Sequence, residues 1–133
     1  MIVVDTNVIA YLWIPGPLNA AASALLSRDD GWVAPPLWRS ELRNVLATLL
    51  RAGQLTLKNA VSVAISAEEQ MKSGEVEVES AAVLELAASS GCSAYDCEFV
   101  ALAKALGVGL VSADRRLVKA FPREAKLLED AVK

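Results

Sequence analysis

Ile2-Val3-Val4-Asp5-Thr6-Asn7 runs from three apolar residues into a carboxylate and two small polar residues, and an apolar stretch resumes from Val8 to Ile14. The first three residues read as a buried strand, and a carboxylate at the carboxyl end of such a strand lies where open α/β sheets bind ligands. The design recurs late in the chain. Val108-Gly109-Leu110-Val111 is a short β-like run, and Ser112-Ala113-Asp114 closes it before a helical pattern from Arg115 to Phe121.

Between these two strands helices alternate with short apolar runs. Helices are expected over Asn7–Trp13 and Pro17–Ser27, and Trp32-Val33-Ala34 reads as a strand stopped by Pro35-Pro36. Leu37 to Arg51 forms an amphipathic helix with Trp38, Leu42, Val45, Leu46 and Leu49 as its apolar stripe, ended by Gly53. Thr56 is positioned to cap a further helix reaching Lys72. Glu75, Glu77 and Glu79 alternate with Val76 and Val78, a pattern that predicts a half-exposed edge strand. Helices over Ser80–Ser90 and Ala94–Leu106, each followed by glycine, lead to the strand at Val108–Val111, and a last short strand is expected around Lys126–Leu128. This alternation predicts a single α/β domain over residues 1–133, with a short central parallel sheet covered by helices on both faces.

Composition narrows the function. The 133 residues are enough to bury a core without disulfides, and the two cysteines, Cys92 and Cys97, lie outside any CxxC spacing and read as reduced packing residues of a cytoplasmic protein. No apolar run approaches the roughly 18 residues of a membrane span, and the chain opens on a strand with no signal peptide pattern. There is no histidine, which removes Ser-His-Asp and Cys-His nucleophiles and the common histidine-containing zinc sites. A formal charge of −3 gives no bulk attraction for nucleic acid, so such binding must rest on a local patch or on bound cations. Hydrophobic residues make up 54% of the chain, with a mean hydropathy of +0.38. That apolar excess points to association, and Trp13, Trp32 and Trp38 are the expected anchors of a homodimer.

Four acids stand out by position: Asp5, Glu41, Asp96 and Asp114. Each has a plainer reading. Asp5 and Asp114 can cap the helices that follow them, Asp96 can complete a capping box begun by Ser93, and Glu41 can sit in the favourable dipole of its helix start. Yet Glu41 flanks the apolar stripe of its helix, and Asp96 shares a helical face with Phe99, Val100 and Ala103. A carboxylate turned toward a core needs a positive partner. No Lys or Arg occupies matching positions, so a divalent cation is the candidate.

The segments Ile2-Val3-Val4-Asp5-Thr6-Asn7, Ser40-Glu41-Leu42 with Asn44, Ser93-Ala94-Tyr95-Asp96 with Val100-Ala101-Leu102-Ala103, and Leu110-Val111-Ser112-Ala113-Asp114-Arg115-Arg116-Leu117 together resemble the successive motifs of PIN domains, and most nearly those of the VapC toxins of prokaryotic toxin–antitoxin pairs. The resemblance covers essentially the whole chain. It implies a PIN-like fold and an endoribonuclease in which Asp5, Glu41, Asp96 and Asp114 hold Mg²⁺ or Mn²⁺, with Asn7 and Ser112 in support. It implies attack of water on an RNA phosphodiester, leaving a 3′-hydroxyl and a 5′-phosphate, and a cognate antitoxin that inserts a basic residue among the acids. Arg115 and Arg116 are the candidate phosphate contacts of the last motif, with Arg39, Arg43 and Lys119 as further cations near the motifs. Two rivals stand beside this reading. A catalytically silent PIN-like binding module would share the pattern, and a phospho-acceptor receiver is also an α/β unit with an acidic Mg²⁺ pocket. The receiver expects an acidic pair after its first strand and a late lysine, whereas Asp5 stands alone and Ser112-Ala113-Asp114 fills the late position.

Overall fold

The computed structural model describes residues 1–133. Four strands, β1 (Ile2–Val4), β2 (Trp32–Val33), β3 (Leu110–Ser112) and β4 (Ala125–Leu127), form one sheet in the order β2-β1-β3-β4, with every pairing parallel. Eight helices complete the chain: α1 (Thr6–Trp13), α2 (Asn19–Arg28), α3 (Leu37–Arg51), α4 (Leu57–Gln70), α5 (Ser80–Ser90), α6 (Ala94–Leu106), α7 (Arg115–Ala120) and α8 (Leu128–Ala131). Apart from the expected strand at Glu75–Glu79, sequence pattern and structure agree on the elements from α1 to α7 within two residues at each end, and Thr56 caps α4 by accepting the Asn59 N–H at 3.1 Å. The terminal turn α8 carries too little sequence to be seen in a periodicity.

The topology places the site. The chain leaves β1 for β2 on one side and then returns past β1 to β3 on the other. Helix α1 packs against α2, α3 and α4, whereas α5 packs on α6 and α6 lies against β1 and β3. The order of the strands reverses between β1 and β3, and a crevice opens at their carboxyl ends. Register fixes this: Val3 lies beside Leu110 and Val4 beside Val111, which puts Asp5 level with Ser112. Val3, Val4, Leu110 and Val111 are buried, as central parallel strands require.

The expected edge strand at Glu75–Glu79 does not form. Only an isolated bridge joins Ala34 to Glu75, through Ala34 N–H to Gly74 O (2.9 Å) and Val76 N–H to Ala34 O (3.1 Å). The reason lies in the partner: Pro35 and Pro36 follow Ala34 and have no N–H to extend a ladder. The Glu75 carboxylate is instead used locally, accepting from Trp38 Nε1 at 2.9 Å and from the Arg39 guanidinium.

The tryptophans also depart from expectation. Trp38 is fully buried and Trp32 is 4% exposed, so neither anchors an interface. Trp13 is half-buried and ties α1 to α4 by donating from Nε1 to Gln70 Oε1 at 2.8 Å. The apolar side chains left outside are Leu57, Val61 and Ile65, spaced four apart on α4, together with Leu84, Leu106, Tyr95 and Met1. No helix is long and apolar enough to cross a membrane.

Gly74 carries a packing constraint that predicts a mutant phenotype. A Cβ there would lie 2.2 Å from the Trp32 carbonyl oxygen, a contact that backbone movement alone can relieve. Gly74→Ala should therefore lower the melting temperature by the equivalent of about 1–3 kcal/mol, whereas Gly16→Ala, whose Cβ meets nothing within 4 Å, should leave it within error. Thermal unfolding of the two variants side by side checks this.

Candidate active site

Asp5 is the first residue past β1 and is 8% exposed, a buried charge that burial alone would neutralise. Its carboxylate is held by three donors. Oδ1 accepts the Thr6 N–H at 2.8 Å, and Oδ2 accepts from the Ser112 hydroxyl at 2.7 Å and the Asn7 amide at 3.3 Å. Ser112, at the end of β3, is fully buried and also accepts the Asp114 N–H at 3.0 Å, while Asn7 Oδ1 accepts the Ala113 N–H at 3.1 Å. The loops after β1 and β3 are thus sewn together by side chains, and Asp5, Asn7 and Ser112, grouped by the family resemblance, meet here.

Glu41 enters from α3. Its Oε1 accepts from Thr6 Oγ1 at 2.7 Å, so a residue of α1 fixes a carboxylate of the helix packed against it. Thr6 was not among the expected site residues. Its buried hydroxyl, one residue after Asp5, was the available signal, since a Thr at a helix start has no need to be buried. Asp96 arrives on the first turn of α6, which Ser93 caps by accepting the Asp96 N–H at 3.1 Å. Asp114 caps α7, its Oδ1 accepting from the N–H groups of Arg116 (2.9 Å) and Leu117 (3.4 Å). The capping roles of Asp5 and Asp114 and the site position of both residues are therefore compatible. Each cap uses Oδ1 alone: Oδ2 of Asp5 accepts from Ser112 and Asn7, and the capping bonds of Asp114 leave its Oδ2 unused.

All four acids line one cleft of about 630 Å³, together with Thr6, Asn7, Leu37, Ser40, Asn44, Val45 and Tyr95. None of the seven ion pairs of the chain includes any of them. Arg39 is spent on Glu75 and Glu68, Arg43 on Glu68, and Arg115 on Glu129 at 3.3 Å. Arg116 alone acts on the acids, lowering Asp96 somewhat. Crowding without cations has the expected electrostatic result. Burial, reinforced by the charges of Glu41 and Asp96, raises the Asp5 pKa from 3.8 to about 6 against the pull of its hydrogen bonds. Burial likewise raises Glu41, with Asp96 adding to it, and raises Asp96, with Asp114 adding to it.

The donor set suits a hard divalent cation: oxygen ligands only, an excess of negative charge and no competing ammonium or guanidinium. No three of the carboxylates are drawn together as a ready-made ion site. Thr6 draws Glu41 to one side and the α7 cap holds Asp114 to another. Such an open arrangement fits Mg²⁺ or Mn²⁺, since Mg²⁺ keeps several waters and takes one or two carboxylates directly.

The sequence profile of the PIN domain matches residues 2–121. The chain belongs to the PIN domain family. As a PIN domain it is similar to ribonuclease VapC3 of Pyrobaculum aerophilum, with 29% identity over 124 residues that cover 91% of this chain and 95% of that protein. The crystal structure of PAE2754 from Pyrobaculum aerophilum superimposes with a TM-score of 0.76, covering 98% of this PIN domain and 92% of that chain at 20% identity. FitAcB from Neisseria gonorrhoeae gives 0.69 over 94% and 96%, at 22% identity. At those identities the two structures speak to the fold alone. Family membership removes the receiver reading.

The raised carboxylates of this PIN domain set a pH dependence for the metal-free protein. Asp5 binds its proton more tightly folded than unfolded, so the folded state takes up protons between about pH 6 and the unfolded value near 3.8. Stability then rises as pH falls through that window. Asp5 alone should contribute about 1 kcal/mol between pH 7 and pH 5, with Glu41 and Asp96 acting in the same direction. Urea unfolding in EDTA across that range checks it, and Asp5→Asn should flatten the gain.

Proposed function

We propose that this PIN domain is a metal-dependent endoribonuclease of the VapC toxin kind, hydrolysing RNA phosphodiester bonds with Asp5, Glu41, Asp96 and Asp114 as the catalytic acids. The observation that carries the reading is a single cleft lined by four carboxylates from four separate elements, with no ion-pair partner for any of them. The similarity to a protein named ribonuclease VapC3 over nearly its full length supports the same substrate class. A catalytically silent binding module would have no use for a buried, unpaired Asp5, which costs stability at neutral pH.

In this reading the four acids hold Mg²⁺ or Mn²⁺, either directly or through water. A divalent ion held there would supply positive charge against the phosphate and would lower the pKa of a bound water. The protein's own contribution is positioning. Ser112 and Asn7 orient the Asp5 carboxylate so that its charge faces the cleft, and Thr6 does the same for Glu41. Arg116, exposed and without an ion-pair partner beside Asp96 and Asp114, is the proposed phosphate contact. Arg115, turned to Glu129, is the weaker candidate. With no histidine in the chain, a carboxylate of the cleft is the proposed proton acceptor.

Partners follow from the same features. A protein antitoxin that offers an apolar helix and a basic residue would cover exposed side chains and pair with the unpaired acids, stopping RNA entry. Association into a homodimer would use the α4 stripe of Leu57, Val61 and Ile65 in place of the buried tryptophans.

Asp5→Asn should abolish Mg²⁺- or Mn²⁺-dependent cleavage of RNA, a loss larger than the roughly hundred-fold that removal of a supporting partner costs, while the metal-free protein stays folded. Ser112→Ala should fall within about 10–100-fold. Cleavage by Asp5→Asn at the wild-type rate overturns the reading. A second measurement is independent of activity. Mg²⁺ should raise the melting temperature by mass action, and the double variant Asp96→Asn with Asp114→Asn should lose that rise.

A further inference from the structure

The cleft is much larger than an ion requires. Its volume of about 630 Å³ falls among the roughly 300–1,000 Å³ of sites that take organic ligands, whereas one water occupies about 30 Å³. Beyond the acids its walls are of two kinds. Helix α3 contributes an apolar strip, Leu37 and Val45, with the hydroxyl of Ser40 and the amide of Asn44 beside it, and α6 contributes the ring of Tyr95.

Tyr95 is 63% exposed, and it belongs neither to the buried core nor to the apolar residues packed against it. The fold gains little from an aromatic ring so placed. It is the one aromatic side chain of the cleft, and it lies one residue before Asp96 on the first turn of α6, so ring and carboxylate are set by the same helix end. Ring and carboxylates line the same cleft.

Electrostatics strengthens the case. The formal charge is −3, and Arg39, Arg43 and Arg115 are paired with glutamates, so few cations remain to draw a polyanion to the cleft. Affinity for RNA must then come in good part from contacts that are not ionic. Base stacking on an aromatic side chain is such a contact, and it needs unpaired bases.

Resting on the nuclease reading above, we propose that Tyr95 is a base-stacking residue: its ring receives an unpaired nucleobase adjoining the scissile phosphate, with Ser40 and Asn44 facing that base's edge. Stacking is equally present before and during bond cleavage, so it acts on substrate binding and leaves the chemical step alone.

The test uses the full chain with Mg²⁺ and single-stranded RNA oligonucleotides, one set carrying 2-aminopurine, and the matching duplexes. Tyr95→Ala should raise KM by roughly 10-fold, within the range that loss of one stacked base gives, with kcat close to wild type and the Mg²⁺-induced rise in melting temperature unchanged. Tyr95→Phe and Tyr95→Trp should restore KM. The 2-aminopurine fluorescence should be quenched by wild type and by both aromatic variants but not by Tyr95→Ala. Wild-type KM and quenching in Tyr95→Ala, failure of Tyr95→Phe to restore binding, or duplex cleaved as well as single strand would each overturn the assignment and leave the nuclease reading in place. A wild-type chain that neither binds nor cuts any RNA removes both.

Discussion

The rest of the site depends on one buried carboxylate. Asp5 occupies the place where the sheet's strand order reverses, and it remains chargeable there because Ser112, Asn7 and the Thr6 backbone all donate to it. Each donor comes from a segment whose position is set by something else: Ser112 by the β1–β3 register, Thr6 and Asn7 by the first turn of α1. Removing the hydroxyl of Ser112 would leave a carboxylate oxygen short of its best partner, a cost well above that of the missing hydrogen bond itself. Sheet register, helix start and site geometry are for this reason one constraint.

The acids around Asp5 are arranged at the expense of stability. Burial and mutual repulsion raise three of them, and no ion pair offsets this. A chain selected for stability alone would place a Lys or Arg in the cleft, and this one has arginines in neighbouring positions, turned away to Glu68, Glu75 and Glu129. The strain is local. The surrounding core, from Val3 and Val4 to Phe99 and Leu110, is closely buried and carries the destabilised site.

Much of this was legible in the chain itself. The strand-then-carboxylate pattern at Val4-Asp5 and at Val111 to Asp114 gave the parallel sheet and two of the acids, because a buried strand followed at once by a charge has few other uses. Glu41 and Asp96 were readable from their place on helical faces. What sequence could not supply was tertiary. The alternation in Glu75 to Glu79 is a sound strand signal, but its only available neighbour ends in two prolines. Trp32 and Trp38 were taken for interface anchors on composition, and depth in the core is a property of neighbours that composition does not hold. Thr6 and Tyr95 drew little notice for opposite reasons: one hides behind Asp5, and the other is an ordinary exposed tyrosine until the cleft beside it is seen.

The Ser112–Asp5 hydrogen bond joins residues 107 positions apart, and β3 reaches β1 only after both flanking helical layers have been made. A ribosome therefore releases Asp5, Glu41 and Asp96 well before the strand that completes their setting. Contacts of such long sequence separation form late and slowly, so the nascent chain passes most of its synthesis without the central strand pairing on which the cleft depends. The cleft is thus a late product of the chain: Asp5 acquires its Ser112 donor only once residue 112 has joined the fold.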